Sequence, residues 1–172
     1  MEGTESRNPL PMRSLLVVFS YHHKNTEVIA NAIAKVLDAQ IRTPQQIRHE
    51  ELQEYDLIGF GSGIYDGKHH QLLLDLADQQ PKVTNRKAFL FSTCGVPAFG
   101  MTKALIAKNH SPLREKLRSK GYLIVDEFAC VGLNTNSFLR LFGGLNKGRP
   151  NALDLKHAEE FAQKLKQNTR SL

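Results

Sequence analysis

Residues 14–38 read SLLVVFSYHHKNTEVIANAIAKVLD and carry two different apolar patterns. The first six residues form a continuous apolar run, which is typical of a β-strand covered on both faces. Residues 27–38 repeat apolar side chains at a spacing of three to four, which predicts an amphipathic helix. A polar loop joins the two. The stretch therefore predicts the strand, loop and helix that begin a parallel α/β sheet.

The same alternation continues along the rest of the chain. Further strands are predicted at residues 39–42, 55–61, 87–91 and 122–131. Helices are predicted from residue 72, over residues 111–120 and after residue 151. For the second of these helices, Ser111 is the expected N-cap and Pro112 the first helical residue. Five buried strands and intervening helices predict a three-layer, doubly wound α/β domain.

Composition bounds what this domain can be. The chain has 172 residues, 41% hydrophobic and 23% charged, which is typical of one folded domain. We assign residues 14–168 to that domain and residues 1–13, which have two prolines and no periodicity, to a flexible tail. The apolar run at residues 15–19 is far shorter than the roughly 20 residues of a membrane span. Two cysteines and no secretory-signal layout predict a cytoplasmic protein without a disulfide framework.

A doubly wound sheet binds its ligands at the carboxyl ends of the strands. This rule selects the loops at residues 20–26, 62–70, 92–100 and 132–150. The first loop precedes a helix N-terminus, where unpaired N–H groups and the helix dipole favour an anion. Lys24 adds positive charge, and Asn25 and Thr26 can cap the helix or reach the anion.

The second and third loops add features suited to a flat ring. Gly63 and Gly67 allow the backbone to approach a ligand closely, and Tyr65 between them can stack on a planar group. The third loop offers backbone donors, the thiol of Cys94 and the ring of Phe99. Together the loops predict a site for a phosphorylated, flat, heteroaromatic cofactor.

Other nucleotide and catalytic motifs are missing. The first loop has no glycine, which excludes the G-x-G-x-x-G dinucleotide fingerprint, and no glycine pair is followed by the Lys-Ser/Thr of a P-loop. Serines stand at residues 20, 62 and 92, where a phospho-accepting receiver domain needs acids. The G-x-S-x-G nucleophile elbow is also absent.

The loops taken in order resemble those of the flavodoxins and flavodoxin-like flavin mononucleotide (FMN) proteins. In that family the first loop reads roughly Ser/Thr-x-Thr-Gly-Asn-Thr and wraps the FMN phosphate. Asn25 and Thr26 match its end, whereas residues 21–24 replace its hydroxyls and glycine. The resemblance also covers residues 148–150, the Gly-x-Pro before the last helix. It implies a five-stranded parallel sheet of order 2-1-3-4-5 with FMN as cofactor.

The resemblance also implies roles for residues in the other two loops. It places Tyr65 against the flavin, the Asp66-Gly67 peptide near flavin N5, Cys94 and Gly95 at the pyrimidine edge, and Phe99 near the other ring face. The expected cofactor-binding residues are Ser20, Tyr21, His22, His23, Lys24, Asn25, Thr26, Gly63, Ile64, Tyr65, Asp66, Gly67, Ser92, Thr93, Cys94, Gly95 and Phe99.

The expected function is electron transfer through bound FMN, with a redox protein, NAD(P)H or a quinone as partner. An FMN-dependent NAD(P)H or quinone reductase is the alternative, with residues 132–150 as a lid. Carrier flavodoxins are usually acidic, whereas this chain has a net charge of +6, which favours an acidic partner or a reductase. Two alternatives lie outside redox chemistry. They are zinc held by the histidine pairs at 22–23 and 69–70, and a nucleic-acid or scaffold face over residues 103–120.

Overall fold

The computed structural model describes residues 11–21, 23–135, 139, 141 and 143–170, the last of them by its backbone alone. Most of the predicted tail, residues 1–10, lies outside these described residues, and so does His22.

Parallel strands and helices alternate as the apolar pattern predicts. The strands are β1 Ser14–Phe19, β2 Gln40–Arg42, β3 Leu57–Tyr65, β4 Lys68–His69, β5 Arg86–Cys94 and β6 Tyr122–Val131. The helices are α1 Asn25–Leu37, α2 Gln71–Gln79, α3 Lys103–Ser119 and α4 Ala152–Arg170. Five strands are parallel in the order β2-β1-β3-β5-β6, which confirms the predicted doubly wound fold.

The sheet has one short strand more than the sequence predicts. β4 pairs antiparallel with the end of β3, so that Tyr65 lies opposite Lys68. Asp66 and Gly67 form the two-residue turn between them and both have positive φ, 49° and 75°. Such a turn requires left-handed backbone, which Asp-Gly adopts readily. The resulting hairpin extends the second loop over the carboxyl edge of the sheet.

Two apolar layers cover the sheet. Alternate side chains of each strand face α2 and α3 on one side, among them Leu15, Phe60 and Leu90. The other side packs Phe89 and Phe91 against the apolar stripes of α1 and α4. Two glycines of β3, at residues 59 and 61, leave room for these rings, because a Cβ on either would lie within 2.4 Å of one. The apolar interior thus supports the strand ends that carry the loops.

Helix α3 begins earlier than predicted. The prediction of a helix over 111–120 with Ser111 as N-cap is wrong, because the helix starts at Lys103 and contains Pro112. Its N-cap is Thr102, whose hydroxyl accepts a hydrogen bond from the Leu105 N–H at 3.1 Å. A proline inside a helix removes one backbone donor and normally marks a first turn, and tertiary packing overrides that preference here. The earlier start brings two more helical turns to the carboxyl edge of the sheet.

Candidate functional site

A cleft of about 330 Å³ opens at the carboxyl ends of β1, β3 and β5. Its position follows from the fold, since the loops after these strands meet there and leave a gap. The residues that line it are Ser20, His23, Asn25, Thr26, Gly63, Ile64, Tyr65, Gly67, Thr93, Cys94, Gly95, Val96, Leu105, Asn109, Leu133, Asn134 and Thr135.

The first loop reaches α1 through a left-handed turn. His23 and Lys24 have φ values of 55° and 53°, and Asn25 begins the helix. A left-handed residue followed by a right-handed one turns successive N–H groups toward a common point, which suits an anion. The Lys24 side chain makes no capping bond, so it leaves the first-turn N–H groups of α1 to other acceptors. The turn and the helix N-terminus together form an anion cradle.

Side chains of the first loop tie neighbouring loops to this cradle. Asn25 donates its amide N–H to the Leu133 carbonyl at 3.0 Å. Nε2 of His23 lies 2.7 Å from the hydroxyl of Thr135. These bonds hold residues 132–135, the start of the fourth selected loop, along one wall of the cleft.

The floor beside the cradle is polar and buried. The hydroxyls of Thr26 and Thr93 lie 2.8 Å apart, joining α1 to the end of β5. Thr26 is 1% and Thr93 6% exposed, so this bond is shielded from solvent. The two threonines therefore fix the distance between the first and third loops.

Tyr65 stands at the cleft wall made by the hairpin. Its ring lies over Gly63, where an added Cβ would come within 3.0 Å of the phenol oxygen. The edge of the His70 ring supports it, with ring centroids 5.3 Å apart, and His70 itself stacks on Phe19 at 3.9 Å. The tyrosine is thus presented at the cleft by a packed aromatic stack.

The third loop closes the opposite wall with a tight backbone approach. Asn134 donates to the Gly95 carbonyl at 2.9 Å, and its side chain lies 2.6 Å from where a Cβ on Gly95 would be. Asn109 of α3 donates to Sγ of Cys94 at 3.7 Å. Burial raises the pKa of the Cys94 thiol to about 11, so Cys94 stays protonated near neutral pH and is not a thiolate nucleophile.

A buried polar chain runs beneath this floor. The Ser92 hydroxyl lies 2.8 Å from Nε2 of His110, and Nδ1 of His110 lies 2.9 Å from Glu127. Arg114 donates two hydrogen bonds to the same carboxylate, at 2.5 and 2.8 Å. The order serine, histidine, carboxylate matches a hydrolase triad. Ser92 is fully buried and does not line the cleft, however, so no substrate can reach its oxygen.

The charge of Glu127 is fixed by its partners. Burial by itself would raise its pKa, but the hydrogen bonds from Arg114 and His110 outweigh burial and hold the pKa at about 2. The carboxylate is therefore ionised near neutral pH and accepts the Nδ1–H of His110.

A second buried histidine adjoins the first. His69 is fully buried, and its ring centroid lies 4.7 Å from that of His110. Its Nδ1 lies 3.0 Å from the Ser62 hydroxyl, which also lies 2.7 Å from the Gly63 carbonyl and accepts the His70 N–H. Nε2 of His69 has no hydrogen-bond partner. Burial and the neighbouring His110 lower the pKa of His69 well below its ordinary value, which keeps the ring neutral.

The structure brings eleven of the expected cofactor-binding residues to the cleft. They are Ser20, His23, Asn25, Thr26, Gly63, Ile64, Tyr65, Gly67, Thr93, Cys94 and Gly95. Five others do not line it, namely Tyr21, Lys24, Asp66, Ser92 and Phe99. Phe99 lies in a short 3₁₀ turn before α3 and is 91% exposed, whereas Ser92 faces the interior because side chains alternate along β5.

Six residues that line the cleft are not among the expected cofactor-binding residues. They are Val96, Leu105, Asn109, Leu133, Asn134 and Thr135. Leu105 and Asn109 were missed because α3 was predicted to begin after them. Thr102, a residue type that favours N-caps, was the available signal for the earlier start. Val96 and residues 133–135 lie inside loops that were selected correctly, but nothing in their pattern distinguishes them.

Other sites suggested by the sequence gain no support from contacts in the described residues. There, no three His, Cys, Asp or Glu side chains come together in a way that could hold a metal ion. Two cations of the 103–120 face are engaged in ion pairs, Arg114 with Glu127 and Lys116 with Asp78. None of the helices described combines the length and apolar character needed to cross a membrane.

Comparisons with known proteins identify the family of the chain. Residues 16–135 match the model of the flavodoxin domain family. An uncharacterized protein of Methanocaldococcus jannaschii is 47% identical over 157 residues, covering 91% of this chain and all of that protein.

Solved structures share the fold at low sequence identity. A flavodoxin from the domain Archaea superposes with a TM-score of 0.66 and 16% identity, covering 92% of this chain and 99% of that one. Flavodoxin 2 from Bacillus cereus superposes with a TM-score of 0.66 and 19% identity, covering 91% of this chain and 99% of that one. The Fusobacterium nucleatum flavodoxin bound to flavin mononucleotide superposes with a TM-score of 0.63 and 15% identity, covering 91% of this chain and 99% of that one. With the family match over most of its length and the 47% identical relative, the chain belongs to the flavodoxin domain family.

Proposed function

We propose that the chain binds FMN in the cleft and transfers electrons through it. The observation that carries the proposal is the anion cradle, a left-handed turn at His23 and Lys24 leading into the N-terminus of α1. It lies in a cleft whose walls supply glycines and a supported tyrosine ring. A phosphate and a flat ring joined in one molecule match both features.

Residues 23–26 would hold the FMN phosphate. Backbone N–H groups of the turn and of the first turn of α1 would donate to its oxygens, and the helix dipole would favour its charge. Lys24 carries an exposed ammonium 3.5 Å from Glu27, so its contribution is a screened positive field. Its left-handed backbone costs about 1 kcal/mol where glycine would cost none, and the added cation offsets part of that cost.

The isoalloxazine ring would lie between the hairpin and the third loop. Tyr65 would stack on one ring face, and Gly63 and Gly95 allow backbone groups to approach the ring edge. FMN supplies one- and two-electron chemistry once bound. The protein's own part is to anchor the phosphate, hold the ring and limit its contact with water.

Fluorescence titration with FMN and with riboflavin tests this proposal. Because riboflavin lacks the phosphate, we expect it to bind at least tenfold more weakly than FMN. Thr26→Val should reduce this preference, since it perturbs the first turn of α1. The control Thr84→Val alters an exposed threonine before β5, at the far end of the sheet, and should leave the preference unchanged. Equal affinity for the two flavins, or no binding at micromolar concentrations, would refute the phosphate cradle.

A second assay separates an electron carrier from a reductase. The FMN-loaded protein is mixed anaerobically with NADH or NADPH, and flavin absorbance is followed. A carrier should keep its absorbance until a reduced redox protein or a chemical reductant is added. Rapid bleaching by either nucleotide would show that the chain is a reductase and would contradict the carrier assignment.

A further inference from the structure

The mouth of the cleft carries a rim of exposed apolar side chains. Among the described residues, Phe99, Leu141 and Tyr21 are the three most exposed large hydrophobics, at 91%, 83% and 72%. Each belongs to a different loop of the cleft, and two hydrogen bonds hold those loops together. Asn146 donates to the Val96 carbonyl at 2.8 Å, and His23 bonds Thr135. Exposed apolar groups on loops that are joined in this way indicate an interaction surface.

Cations accompany these apolar groups. Lys24 and Lys147 are exposed in the first and fourth loops, and Lys103 is exposed at the start of α3, just after the third loop. Residues 94–114 and 128–153, which border the cleft on two sides, contain no aspartate or glutamate. The acids that border these segments are Glu115, Glu127 and Asp154, and the last two are paired with Arg114 and Arg149. Glu27 of α1 pairs with Lys24. The rim formed by Tyr21, Lys24, Phe99, Lys103, Leu141 and Lys147 is therefore basic.

We infer that this rim docks an acidic redox protein that exchanges electrons with the flavin. The inference rests on the proposed function and adds the partner and its charge. An apolar centre with charges around it has the composition of a protein interface. Opposite charges on the two proteins raise the association rate, and short-lived contacts let the complex dissociate after electron transfer. A redox partner must also approach the cleft mouth, which is where the rim lies.

A protein fits this surface better than a nucleic acid. Two side chains of the basic 103–120 face, Arg114 and Lys116, are already neutralised by Glu127 and Asp78. The rim lysines Lys24, Lys103 and Lys147 come from three separate segments and not from one continuous stripe, and Lys120 is at the opposite end of α3 from Lys103. Nucleic-acid grooves need such a stripe to follow a phosphate backbone.

Surface plasmon resonance on the full chain tests the inference. The probe is an acidic [2Fe–2S] ferredoxin, and basic cytochrome c is the control redox protein of opposite charge. We expect saturable ferredoxin binding at 10 mM salt that weakens at least tenfold at 200 mM, and weaker binding of cytochrome c. Stronger binding of cytochrome c, tighter binding of a 20-nucleotide single-stranded DNA, or no saturable ferredoxin binding would each overturn the inference.

Matched variants locate the surface. The double variant Lys103→Glu, Lys147→Glu should weaken ferredoxin binding at least tenfold, and Phe99→Ser at least threefold. Lys35→Glu, Lys82→Glu makes the same change in net charge at the other end of the sheet, and it should change affinity by less than threefold. Equal losses from both pairs would mean that total charge, and no particular surface, governs binding.

Repeating the ferredoxin-binding measurement with and without FMN separates this inference from the proposed function. Flavin fluorescence reports FMN binding independently of the ferredoxin. Ferredoxin docking at the rim in a chain that binds no FMN would retain the surface and refute the function. FMN binding without ferredoxin docking would support the proposed function and refute the docking surface.

Discussion

Replacing Glu127 by glutamine should destabilise the fold and reduce its sensitivity to acid. The carboxylate accepts two N–H donors from Arg114 and one from His110, which lies beneath the cleft. Glutamine keeps the shape but loses the charge and one acceptor. Arg114 is then left with a neutral partner, and His110 loses its anionic one.

The magnitude follows from the pKa of Glu127, which the fold lowers from 4.5 to about 2. Each unit corresponds to about 1.4 kcal/mol, so the whole shift would correspond to about 3 kcal/mol. The side chain keeps 19% of its surface in solvent, and screening reduces this value, so we expect about 1–2 kcal/mol. A lowered carboxyl pKa stabilises the fold above pH 4.5, and that stability is lost as the pH falls toward 2.

Urea unfolding of both proteins at several pH values between 7 and 3 measures this effect. The difference in the free energy of unfolding between wild type and Glu127→Gln should be largest at pH 7 and should decrease below pH 4.5. Glu115→Gln removes an exposed acid from α3 and should cost less than about 0.5 kcal/mol at every pH. A cost below about 0.5 kcal/mol for Glu127→Gln, or a difference that stays constant with pH, would show that the charge of Glu127 does not stabilise the fold.

Three further predictions concern packing, ring stacking and the buried histidine. Gly61→Ala should cost about 2–3 kcal/mol in urea unfolding, because its Cβ would lie 2.2 Å from the Phe91 ring. Gly100→Ala, with nothing within 4 Å, should be near neutral. Tyr65→Ala should weaken FMN and riboflavin binding by equal factors of about three to ten in fluorescence titrations, since stacking does not involve the phosphate. His69→Gln should lower stability at pH 7, and this deficit should shrink at pH 5. The wild-type chain loses stability below pH 6.5, where its unfolded form gains a proton that buried, neutral His69 does not take up.

The sheet could be predicted from the sequence because its signals are local. Each buried strand is a short apolar run, and each helix a stripe of apolar residues, so tertiary contacts were not needed to recognise them. β4 was missed although Asp66-Gly67 is a strong turn signal, because the flanking strand is only two residues long. The start of α3 was misplaced because Pro112 matches a first-turn position, whereas the Thr102 cap lies nine residues before Ser111.

The candidate site was predictable as loops and not as side chains. The rule that ligands bind at the carboxyl ends of parallel strands selects the right segments, yet it does not say which residues point inward. Ser92 and Thr93 show the difference, since adjacent residues of one strand face opposite sides. His69 suggested zinc as part of a histidine pair, but its burial against His110 depends on α3, whose position no local pattern contains.

The buried histidines explain how the two walls of the cleft keep their spacing. Ser62 and Ser92 are paired across β3 and β5, and each hydroxyl bonds one imidazole. One imidazole, His69, belongs to the hairpin that carries Tyr65, and the other, His110, to the helix that contributes Leu105 and Asn109. Because the two imidazoles contact each other as tilted rings, they set the spacing between the hairpin and the helix. An apolar pair could fill the same volume, but only groups with directional hydrogen bonds fix both walls to the same two strands.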